Sequence, residues 1–91
     1  MTEQVEFQTA LQRGNRVQVP KLVRWKFKLE SNQVLKVAVW AGVISWKTFY
    51  ACMDKSGRIT VPALTRKFLE TTKHDKQSLT GEILEIQLQP A

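Results

Sequence analysis

The chain has 91 residues, a formal net charge of +6 and 43% hydrophobic residues, with a sequence pI of about 9.8. That length holds one domain around a single modest core, and no apolar run approaches the roughly 20 residues that span a bilayer. Cys52 is the single cysteine and His74 the single histidine, so neither an internal disulfide nor a metal site of soft ligands can close within one chain.

The opening residues, MTEQVEFQT, combine no basic start with an apolar stretch, so no secretory signal is expected. A lone cysteine fits a reducing cytoplasm. Phe7–Gln12 and Arg16–Val19 read as two short strands joined by a tight turn at Arg13-Gly14-Asn15, where Gly and Asn tolerate positive φ. Pro20 cannot extend a ladder but suits the first turn of a helix, predicted over Pro20–Lys28. Val23 and Phe27 share one face of it, with Arg24 and Lys28 on a neighbouring stripe.

Glu30-Ser31-Asn32 is a loop, and Val34–Trp40 alternates as a strand that buries either Val34 or Leu35 and the period-two partners of one of them. Ala41-Gly42 reads as a hairpin turn. Val43–Met53, rich in β-branched and aromatic residues, is expected as one long or bent strand, with Cys52 as a small buried hydrophobe. A second turn follows at Lys55-Ser56-Gly57, then a second helix over about Pro62–Thr71 and a final strand over Glu82–Leu88 that Pro90 ends. The expected class is mainly β with two short helices (α+β), closed as a small barrel that leaves few free edges.

The chain repeats itself. A shift of 42 positions lays Phe7 on Phe49, Arg16 on Arg58, Val19 on Val61, Pro20 on Pro62, Leu22 on Leu64 and Arg24 on Arg66. Chance pairing over some twenty positions gives about one identity. Gln33–Val39 matches Glu82–Leu88 at an offset of 49, so the second copy carries an insertion of seven residues, expected in the polar loop Thr71–Thr80 that holds His74. A single domain over 1–91 therefore divides into repeat one, about 7–47, and repeat two, about 48–90. Two copies suggest a pseudo-dimer rather than a solenoid, which needs three or more.

Met53–Arg66, MDKSGRITVPALTR, closely resembles the motif of the SpoVT/AbrB superfamily: an acid, a turn, Gly-Arg, a β-branched run, Pro, and an Arg four residues on. Leu11–Arg24, LQRGNRVQVPKLVR, is a weaker copy, with Asn15 in place of Gly and Gln12 in place of the acid. The duplication resembles that of MraZ-type proteins. This resemblance implies a swapped-hairpin barrel, here with covalently joined units, and cytoplasmic DNA binding by transition-state regulators, repressors or antitoxin N-terminal domains. Two departures stand out. No fourth strand follows Glu82–Leu88, so the barrel is either asymmetric or completed by another copy in a homo-oligomer. The basic residue that some DNA-binding members carry in the first strand is replaced by Thr9, Ala10, Ala51 and Cys52.

Between Gln12 and Lys28 lie Arg13, Arg16, Lys21, Arg24, Lys26 and Lys28 with no acid among them, while Lys55, Arg58, Arg66 and Lys67 extend the matching stretch of repeat two. Guanidinium forks bind phosphate oxygens bidentately and release condensed counterions. These ten cations are the candidate surface for double-stranded DNA, making the chain a transcriptional or chromatin-associated regulator with no cofactor and no membrane partner. Arg16 and Arg58 read equally as structural pins on the turns, bonded to carbonyls or to Asp54. Trp25, Trp40 and Trp46 are core or interface residues or base-stacking ones. The alternative function is a protein-interaction module, antitoxin-like or an adaptor barrel; the sequence ends soon after its last strand, which argues against a toxin-wrapping tail. No nucleophile–base spacing, carboxylate pair or glycine loop for phosphate is present, so no enzyme activity is expected.

Overall fold

Alternation of side chains sets the barrel wall. In a computed structural model, which describes residues 4–40, 46–71 and 81–91, Leu35, Val37 and Val39 point inward and are fully buried, while Val34 and Lys36 are exposed. This is the strand predicted over Val34–Trp40, with the inward set resolved in favour of Leu35. The elements run β1 (Val5–Gln12), β2 (Arg16–Gln18), α1 (Lys21–Lys26), β3 (Val34–Trp40), β4 (Lys47–Cys52), β5 (Arg58–Thr60), α2 (Ala63–Thr71) and β6 (Ile83–Pro90).

All six strands form one antiparallel sheet in the order β4-β3-β6-β1-β2-β5. It curls until its two ends meet at the β4–β5 turn, where the Asp54 N–H donates to the Arg58 carbonyl at 2.8 Å. The result is a nearly closed, barrel-like sheet with one core, to which Val17, Val19, Ile59, Val61, Leu84, Ile86 and Leu88 contribute side chains 0–2% exposed. Both edges of β6 are occupied, by β1 and by β3, so no strand is missing beside it.

The ladders are related two by two. Advancing β1 and β2 by 42 residues and β3 by 49 carries the pair Val5↔Leu88 onto Lys47↔Val39, and Ala10↔Ile83 onto Cys52↔Val34. The same shift carries Arg16↔Thr60 onto Arg58↔Gln18 and leaves Val17↔Ile59 in place. It also leaves Ala38↔Gln87 in place on the opposite wall.

Several local expectations need adjustment. The first helix is shorter than Pro20–Lys28, because Phe27 already leaves helical geometry and Lys28 adopts φ 53. That left-handed residue swings Leu29 into the core, its N–H bonded to the Arg24 carbonyl at 2.9 Å. Lys28 therefore lies beyond the helix rather than on a stripe with Arg24. Cys52 is exposed, not buried: Phe49 and Met53 hold the inward positions on either side, and parity turns Cys52 outward. The last strand starts at Ile83 and reaches Pro90, one residue later and two further than expected. The turn expected at Ala41-Gly42, the start of the strand expected over Val43–Met53, and the loop with His74 lie outside the described residues.

Candidate nucleic-acid interface

The β2–β5 ladder positions the central cations. Val17 and Ile59 face inward with no exposure, so Arg16, Gln18, Arg58 and Thr60 take the outer face. Arg16 stands opposite Thr60 and Gln18 opposite Arg58. The two arginines are thus diagonal neighbours, with Cα atoms about 7–8 Å apart by ordinary sheet geometry.

The turns at the two ends of this ladder hold the next layer. The Val19 N–H donates to the Gly57 carbonyl at 2.8 Å, and the Val61 N–H donates to the Asn15 carbonyl at 2.7 Å. Gly57 at φ 81 and Asn15 at φ 59 occupy equivalent places, 42 residues apart. Each receives the arginine of the other half. The Arg24 guanidinium lies so close over Gly57 that a Cβ there would come within 2.5 Å of Cζ. Arg66 Nη1 donates to Asn15 Oδ1 at 3.3 Å. Gln18 Nε2 adds bonds to the Ser56 and Gly57 carbonyls at 2.9 and 3.3 Å.

Arg58 faces Asp54, Nε to Oδ2 at 3.9 Å, which is an ion pair too long for a hydrogen bond. Asp54 mainly serves the turn, its Oδ1 accepting from the Arg58 N–H at 2.9 Å and the Ser56 N–H at 2.8 Å. The Arg58 N–H is the chief reason its pKa lies below the usual 3.8; desolvation opposes it, and the Ser56 N–H and then the Arg58 and Arg16 guanidinium charges lower it further. The Nε atoms of Arg24, Arg58 and Arg66 are buried without a hydrogen-bond partner. Among the described residues, neither Arg24 nor Arg66 faces a carboxylate within ion-pair distance.

Of the ten cations picked out in the sequence, the structure gathers Arg16, Arg24, Arg58 and Arg66 around one ladder. Arg13 and Lys55 are exposed on its two turns, and Lys21 and Lys67 are exposed on α1 and α2. Lys28 is exposed past α1. Lys26 does not join them: its Nζ sits 5.6 Å over the Phe27 ring, and it lines a hollow of about 330 Å³ with Gln4, Val5, Glu6 and Leu22. Sequence reasoning missed Gln18, whose amide clamps the opposing turn, and Asn15 as the Arg66 acceptor. The alignment of Asn15 with Gly57 was the available signal for the second.

The wall across the ring, β3 and β6, carries both signs, with Lys36 on β3 and Glu85 on β6, and β1 with Glu6 lies beside it. Glu85 accepts from Gln8 Nε2 at 3.2 Å and Glu6 from Gln87 Nε2 at 2.9 Å. Trp40 and Trp46 stack together, with centroids 5.9 Å apart and planes at 29°. Trp25 belongs to neither wall, and at 79% exposed it is not a core residue. No group of three His, Cys, Asp or Glu that could hold a metal occurs among the described residues, and no described helix is long and apolar enough to cross a membrane.

No protein-family model matches this sequence, and no curated protein does. The fold has a solved counterpart. The solution structure of PHS018 from Pyrococcus horikoshii is similar at a TM-score of 0.76, with 20% sequence identity over 93% of this chain and 88% of that one. At that identity the likeness is one of fold.

Proposed function

We propose that the chain binds duplex DNA through the β2–β5 wall as a transcriptional or chromatin-associated regulator. The observation that carries this reading is the state of its arginines. Desolvating a cation is costly unless an anion faces it. Here Arg24 and Arg66, half-buried, have buried Nε atoms and no carboxylate among the described residues, and they sit at the two ends of the ladder whose outer face carries Arg16 and Arg58. A phosphate placed over the ladder supplies the missing charge, through forks already held by packing on the turns.

The same reading takes the paired ladders as the product of duplication, with two tandem halves arranged as in a swapped-hairpin, AbrB-like barrel. It assigns the chain no catalysis. Phosphate contacts fix position without reading bases, so sequence preference is modest or shape-based. Fluorescence anisotropy with a labelled duplex, between about 50 and 200 mM salt, tests it: affinity falls steeply over that range. No binding at the lower salt refutes it.

A further inference from the structure

We propose that Trp25 is a stacking platform for an unpaired nucleobase, so that the chain binds duplex carrying a single-stranded overhang more tightly than blunt duplex. This rests on the phosphate-binding reading above and adds the strand state of the preferred ligand.

The indole is the most exposed aromatic side chain among the described residues, at 79%. Single exposed apolar residues are ordinary on a folded surface, so the case for a contact at this ring rests on what surrounds it. Its surroundings select the contact. On α1, Lys21 precedes Trp25 by one helical turn and Arg24 adjoins it; Lys28 follows three positions later, past the end of the helix, and no acid occurs in 13–29. The helix is a firm base for the ring, because Val23 and Phe27 pack on the core and Leu29 is buried just beyond. A rigid aromatic among cations beside a phosphate surface is the arrangement that holds single strands.

Paired bases are already stacked in a duplex, so the indole gains only from a base that is free. The position is also unique to one half. A shift of 42 residues places Lys67 where Trp25 stands, so the phosphate surface is two-fold while its stacking site is single. Trp40 and Trp46, stacked on each other at the far wall, do not substitute for it. An anionic membrane would attract the same cations, but Leu22 and Leu64, 76% and 82% exposed, belong to helices at the two ends of the β2–β5 ladder, not to one amphipathic helix that could lie in a membrane surface. An unpaired base fits the geometry better.

The experiment uses the full chain at about 100 mM salt with three labelled probes: a blunt duplex, the same duplex with an oligo-dT overhang, and the same with an oligo-U overhang. The overhangs are expected to bind roughly five-fold or more tighter than the blunt duplex, in line with stacking on one base. Trp25→Ala returns them to the blunt value, Trp25→Phe keeps part of the gain, and neither changes blunt-duplex affinity or the urea midpoint. Overhang binding quenches indole fluorescence in the wild type and far less in Trp25→Phe. A gain for U alone assigns the site to RNA, and for dT alone to DNA. Equal affinity for blunt and overhang probes, or a gain that survives Trp25→Ala, overturns the inference while leaving the duplex reading intact. Failure of all three probes overturns both, as does binding to vesicles containing phosphatidylserine in their place.

Discussion

At the scale of single residues, the two halves solve one problem with different side chains. A left-handed position is required where each turn meets the opposing arginine, and Gly57 and Asn15 supply it at φ 81 and 59. Glycine does so without strain, and Asn is among the few others that tolerate it. Gly57→Ala is therefore expected to cost about 1–2 kcal/mol from backbone strain alone. The Arg24 guanidinium, 2.5 Å from the new Cβ, is the far end of a flexible chain and moves aside cheaply. The variant should then lose duplex affinity in excess of its modest loss in urea midpoint; unchanged affinity would show that Arg24 does not need its seat. Asp54 supplies a pH test. Its folded pKa is depressed, chiefly by the Arg58 N–H, so its contribution to stability is present above the ordinary 3.8 and is lost as pH falls through the folded value. Urea midpoints taken from about pH 5 down to about pH 2 should fall less steeply in Asp54→Asn than in the wild type.

At the scale of elements, a helix ends where its backbone can turn. Lys28 sits at φ 53 just past α1, a place where glycine is the favoured residue. Lys28→Gly is expected to raise stability by about 0.5–1 kcal/mol by removing left-handed strain, less the entropy glycine adds to the unfolded chain. A lowered urea midpoint would mean that the lysine stem holds the turn. This stop was invisible in the sequence, because nothing in KFKLE distinguishes Lys28 from a fourth helical cation. What was legible followed from period and punctuation: Val34–Trp40 from alternation, and the starts of α1 and α2 from Pro20 and Pro62. Cys52 was misread because its residue type was weighed above its parity with Phe49 and Met53. The arginines were legible as a motif. Their seats were not, since Arg24 and Gly57 are joined only by β2 lying against β5, a long-range pairing that no local pattern encodes.

At the scale of the whole molecule, the paired ladders make equivalence itself measurable. Arg24 and Arg66 occupy matching places, each over the turn of the other half, and Arg16 and Arg58 are matching diagonals of one ladder. If these four guanidiniums each displace one counterion, log affinity against log salt should slope by about −3.6. Each single Arg→Gln variant should reduce that slope by about one. The environments differ enough to rank the losses. Arg58 has Asp54 at 3.9 Å and loses an ion pair with its charge, whereas Arg24 has no described carboxylate to leave behind. Arg24→Gln and Arg66→Gln should therefore weaken binding with little change in urea midpoint, and by similar factors. Arg58→Gln should weaken binding and also lower the midpoint. A surface that works through one half alone would separate Arg24 from Arg66 by a large factor, and the two-fold relation of the ladders would then be architecture without a matching role in binding.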